Sequence, residues 1–103
     1  MEQLKKDIQN KLGHLLVDIK LIQRTEKENA FQLKAELENG LVASIINFTR
    51  SPYELAFDAG NGVISIPKIT PKGRKSFGED NTKELIDLIE KAAKIHACIP
   101  CYK

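Results

Sequence analysis

Two cysteines and a histidine stand together in His96-Ala97-Cys98-Ile99-Pro100-Cys101. The Cys-x-x-Cys spacing is shared by zinc-binding turns and thiol redox sites. A redox pair belongs at the start of a helix that follows a strand, where the helix dipole lowers the thiol pKa, whereas this pair follows an amphipathic helical pattern. A structural zinc site takes four ligands, and the remaining soft donor, His14, lies far off in the sequence. His96, Cys98 and Cys101 are thus an incomplete ligand set. A frayed tail over residues 97–103 carrying two free thiols accounts for them more simply. No metal and no cofactor is expected.

The second cluster is basic. Lys68, Lys72, Arg74 and Lys75 fall within the eight residues 68–75, in Lys68-Ile69-Thr70-Pro71-Lys72-Gly73-Arg74-Lys75. On a loop, such side chains contact phosphates, and backbone amides add to the grip. Only Phe77 stands near, so the interleaved aromatics of single-strand binders are missing. The competing reading is a solvated loop balanced by Glu79 and Asp80.

Carboxylates supply the remaining candidates. Asp58-Ala59-Gly60-Asn61-Gly62 resembles a calcium loop in its first residues but lacks the alternating oxygen ligands and the closing acid, so a tight turn is the expectation. Glu54 and Asp58 share the wet face of one strand pattern, and Lys34 and Glu36 that of another; solvated cross-strand charges are the ordinary explanation. No nucleophile elbow and no glycine-rich phosphate loop is present. Nothing in these residue types argues for an enzyme.

The elements that carry these residues follow from periodicity. Leu4, Ile8 and Leu12 recur at helical spacing among charged neighbours, and Gly13 ends that helix. Residues 15–24 fit either a continued helix or a strand; the strand is favoured, with Leu15, Val17, Ile19 and Leu21 on one face. Phe31, Leu33, Ala35 and Leu37 alternate with polar residues as a strand with one wet face. Glu26 to Asn29 joins these two strands, and Asn39-Gly40 predicts a two-residue type I′ hairpin.

Leu41 to Phe48 is the third strand, apolar on both faces at one end, and a turn at 49–52 leads into a fourth over Tyr53 to Asp58. Val63 to Ile66 is a short fifth strand stopped by Pro67. Residues 67–80 show no periodicity and read as an exposed loop. Asn81 and Glu84 predict an N-cap and capping pair for a final helix from Thr82 to Ile95 or His96, with Leu85, Ile86, Ile89, Ala92 and Ala93 on its apolar stripe.

The expected architecture is therefore α+β in two layers: an antiparallel meander of about five strands with both helices packed on one face (α-β-β-β-β-β-α). A chain of 103 residues is the size of one domain, residues 1–103, with room for one core and no more. Its 42% apolar and 29% charged residues are those of a folded protein. The formal charge of +2, from 16 basic and 14 acidic residues, is too small to imply a nucleic-acid or membrane partner by itself. No signal-peptide pattern or long apolar run is seen, and two cysteines cannot staple a secreted scaffold, so a reducing cytoplasmic setting is expected.

These features point to a small non-enzymatic binding protein that works by protein–protein contact, as immunity proteins and phage-encoded inhibitors do when they occlude a partner. The alternative is a nucleic-acid-binding module using the loop 68–75. An uncovered edge of the meander would also allow strand pairing into a homodimer.

Overall fold

The computed structural model describes residues 2–23, 30–47, 52–60 and 62–95. Helix α1 (Glu2–Leu12) buries Leu4, Ile8 and Leu12, the residues its spacing selects. Gly13, at φ +54, turns the chain out of the helix in the left-handed region that an L side chain resists. A 3-10 turn over Gly13–Leu15 leads into β1 (Leu16–Gln23), followed by β2 (Phe31–Leu37), β3 (Val42–Ile46), β4 (Tyr53–Asp58), β5 (Val63–Ile64), β6 (Arg74–Phe77) and α2 (Thr82–Ala93).

The sheet is antiparallel and runs β1-β2-β3-β4 in space, as a meander should. Its last edge is shared: β5 pairs Phe57 and Asp58 at one end of β4, and β6 pairs Tyr53 to Ala56 at the other. Among the described residues six strands therefore stand where five were expected. Residues 67–80, expected as an exposed loop, contain β6 and a compact double turn. The alternation test misses β6 because an edge strand needs little burial: of its four residues only Phe77 is buried.

The double turn is built from two Pro-Lys pairs. In Ile66-Pro67-Lys68-Ile69 the Ile69 N–H donates to the Ile66 carbonyl (3.1 Å), and Lys68 at φ +67 takes the position where a type II turn demands positive φ. In Thr70-Pro71-Lys72-Gly73 the Gly73 N–H donates to the Thr70 carbonyl (2.9 Å). Between them Ile66, Ile69 and Thr70 are buried. The loop thereby carries its own small core and aims the chain back along β4.

Three further details differ from expectation. In β1 the register slips between Leu16 and Asp18, so Val17 is bulged out and 63% exposed while Leu16, Ile19 and Leu21 pack inward; strict alternation through Val17 fails at that extra residue. The Asn39-Gly40 turn is a three-residue loop: the Gly40 N–H donates to the Leu37 carbonyl (3.0 Å), the Leu37 N–H to the Leu41 carbonyl (2.8 Å), and positive φ falls on Gly40 alone. Asn81 makes no side-chain cap bond, because a 3-10 turn over Glu79–Asn81 feeds the helix directly. Helix α2 itself ends at Ala93.

Both helices lie on one face of the sheet, and their buried stripes merge with Leu33, Ala35, Leu37, Ala43, Ile45, Leu55 and Phe57 into a single core. Asn39 locks this arrangement. Its Nδ2 donates to the Ala92 carbonyl (2.7 Å) and the Ile95 carbonyl (2.9 Å), while its Oδ1 accepts from the Leu41 N–H (3.1 Å). One side chain thus closes the hairpin and ties it to two carbonyls at the end of α2, of which that of Ala92 also accepts from the Ile95 N–H (3.2 Å).

Residues 1, 24–29, 48–51, 61 and 96–103 lie outside the described residues, and with them the expected first turn, most of the turn at 49–52 and the thiol-bearing tail.

Two stability outcomes follow. Asn39→Ala should destabilise the fold by about 1–3 kcal/mol, seen as a lower urea midpoint, because it removes three part-buried hydrogen bonds, two of them joining the hairpin to the end of α2. Thr70 is fully buried with its hydroxyl unpartnered among the described residues. Thr70→Val should therefore raise stability by about 1 kcal/mol in the same titration.

Candidate functional site

With α1 and α2 on one face, the opposite face of the sheet carries no helix among the described residues. Register places its outward side chains in three rows across the strands. The first row is Asp18, Glu36, Val42, Asp58 and Val63; the second is Lys20, Lys34, Ser44, Ala56 and Arg74; the third is Ile22, Gln32, Ile46, Glu54 and Ser76. Acids cluster in the first row and bases in the second, about 7 Å away along the strands.

The middle of this face is hollow. Ser44 and Ala56 are the small residues at the centre of the second row, and a groove of about 800 Å³ opens over them. Lys34 and Arg74 stand at its ends, Glu54 and Asp58 on its flank, and Val42, Ile46 and Val63 supply apolar wall. Gln32 Nε2 donates to Ser44 Oγ (3.0 Å), which orients the floor. Arg74 Nη1 donates to Glu54 Oε1 at 3.4 Å, a charge pair bridging the second and third rows.

The four basic residues singled out by sequence are divided by this geometry. Arg74 lies opposite Ala56 on the outer face, and Lys75 lies opposite Leu55 on the helix-bearing side, with its ammonium 5.8 Å from the centroid of the Phe77 ring. Lys68 and Lys72 are exposed on the successive Pro-Lys turns. The structure therefore joins Arg74 to Lys34 across the groove and directs Lys75 elsewhere. Lys34 and Arg74 are three strand spacings apart, about 14 Å, too far to hold one phosphate between them.

The carboxylates are also separated. Glu36 and Asp58 have Val42 between them, about 10 Å from strand to strand, beyond the reach of a shared proton. Asp58 Oδ1 accepts from the N–H groups of Gly60 (2.6 Å) and Gly62 (3.3 Å), so this acid is engaged in its own turn, as the tight-turn reading of 58–62 expects. Among the described residues no group of three or more His, Cys, Asp or Glu side chains is placed to hold a metal ion. His96, Cys98 and Cys101 lie outside those residues. No helix among the described residues is long and apolar enough to cross a membrane.

The two apolar faces of the third strand, visible in the sequence, did point toward this surface through Val42 and Ile46. Ser44 and Ala56 gave no such sign. Their meaning depends on register, which places two small side chains side by side at the centre of the sheet.

Comparison of the chain with protein-family models, with curated proteins and with solved structures finds no match in any of the three. The functional reading therefore rests on the residues and their geometry.

The Glu54–Arg74 pair is solvent-facing on the arginine side, with 65% of that side chain exposed. Glu54 is 17% exposed, so Arg74→Ala leaves a largely covered carboxylate unpaired and should cost about 1 kcal/mol by urea titration.

Proposed function

We propose that this chain is a small non-enzymatic binding protein that engages another protein through the helix-free face of its sheet. The observation that carries this reading is the groove itself: small residues and apolar wall at its centre, with charged side chains at its ends and flank. An apolar centre inside a polar rim is the usual anatomy of a protein-binding surface. The two charge rows specify the partner's chemistry. It should present acids over Lys20, Lys34 and Arg74 and bases over Asp18, Glu36 and Asp58, in lines about 7 Å apart. Occlusion of a partner, in the manner of immunity proteins and phage-encoded inhibitors, is the mode of action such a surface suits, and the cytoplasm is the compartment that fits the thiol content.

Nucleic-acid binding through Lys68, Lys72, Arg74 and Lys75 is the second reading. It is supported by the exposure of Lys68 and Lys72 on adjacent turns. The separation of Arg74 and Lys75 onto opposite sides of the sheet favours the protein partner.

Two measurements test this. Ser44→Trp fills the groove floor from the outer face, and affinity capture from cells that make the protein should retain a specific partner on the wild-type chain and lose it on this variant. Fluorescence polarisation against random DNA and RNA should show no binding. Binding that weakens roughly a hundredfold between about 50 and 200 mM salt, the signature of about four phosphate contacts, would overturn the protein-partner reading in favour of the basic loop.

A further inference from the structure

The free edge of β1 has features that select one occupant. Among the described residues no strand pairs with its outer side. At eight residues β1 is the longest strand of the sheet, and it is rich in apolar residues: Leu16, Val17, Ile19, Leu21 and Ile22. Long apolar edges are ordinarily shortened, charged or covered, because their unpaired N–H and C=O groups template further pairing. Two devices are present here, the bulge at Val17 and the pair Asp18 and Lys20.

The charges are placed oddly for a monomer. Asp18 lies directly opposite Glu36, and Lys20 directly opposite Lys34. Like charges facing each other across strands are destabilising. The compensation is local: Lys20 Nζ lies 3.9 Å from Asp18 Oδ2 on the same strand. The Ile19 N–H donates to Asp18 Oδ1 (2.9 Å), the kind of local bond that occupies an edge donor when no further strand is there to take it.

A second copy of β1 resolves both mismatches in one register. An isologous antiparallel pair must place each residue opposite its symmetry mate about a two-fold axis. An axis at Asp18 opposes two aspartates, and one at Lys20 opposes two lysines. An axis at Ile19 sets Asp18 against Lys20 of the second copy and Lys20 against its Asp18. The same axis sets Leu21 against Val17 of the second copy, where the bulge interrupts the ladder, so the regular pairing runs over Asp18, Ile19 and Lys20.

We propose that the protein is a two-fold dimer through β1–β1 pairing centred on Ile19. The sheet then continues across both copies, all four helices lie on one side, and the second row of one copy runs into the first row of the other, changing sign once between Lys20 and Asp18. The ladder takes over the Ile19 N–H and releases the Asp18 carboxylate to Lys20 of the second copy. This assignment rests on the β1 edge alone and stands or falls independently of the groove.

Sedimentation equilibrium on the full chain tests it by charge swap. The wild type should be a dimer at micromolar concentration. Asp18→Lys alone and Lys20→Asp alone each turn two attractive cross-strand pairs into two repulsive ones and should weaken dimerisation by about tenfold or more. Neither should unfold the chain, because each places an opposite charge against Glu36 or Lys34; circular dichroism melts check this. The double variant D18K/K20D restores opposite charges at both positions and should recover the dimer. A monomeric wild type, single variants that dimerise as tightly as wild type, or a double variant that stays weakened would each overturn the proposal.

Discussion

Period-two alternation in β2, β3 and β4 is the constraint on which the other features rest. Leu33, Ala35 and Leu37, then Ala43 and Ile45, then Leu55 and Phe57 face one way and are fully or almost fully buried. A slip of one residue in any of these strands would turn its whole apolar set to solvent, so register is specified strongly. Once it is set, the inner face must be covered by the two apolar helical stripes, and the outer rows of charge and small residues are fixed as a by-product. The groove over Ser44 and Ala56 and the like-charge pairs at β1 are both consequences of that single alignment.

Where burial is one-sided, the elements were legible from residue order alone. The α1 stripe, β2, β4 with its bounds at Tyr53 and Asp58, and the start of α2 all follow from apolar spacing. Legibility failed where a local bond pattern, and not burial, decides the backbone. Strand β6 has one buried residue and is held by pairing to β4. The bulge at Val17 is an insertion that periodicity cannot foresee. Asn39-Gly40 has the composition of a two-residue turn, yet Asn39 instead spends its amide on the end of α2, a contact across more than fifty residues.

The candidate site was legible only in part, for a related reason. Charge and apolar type can be read directly, which is why Lys34, Glu36, Glu54, Arg74 and the two-faced third strand were visible early. Their grouping is a property of register. Arg74 and Lys75 are neighbours in sequence but lie on opposite sides of a sheet, whereas Arg74 and Lys34 are forty residues apart and stand in one row. A cluster of like residues on a stretch taken for a loop is therefore a weak guide to a surface when that stretch becomes a strand.

The tie between Asn39 and the carbonyls of Ala92 and Ile95 also bears on how the chain is made. Synthesis delivers α1 and the meander before α2, so until α2 emerges the inner faces of β2, β3 and β4 lack half their cover. Leu33, Ile45, Leu55 and Phe57 then wait exposed in a nascent chain whose closing partner is still to be translated. Non-local closure of this kind slows folding relative to helical bundles and lengthens the interval in which sheet edges can find wrong neighbours. The hairpin loop that presents Asn39 is complete early, so the latch exists before the element it fastens.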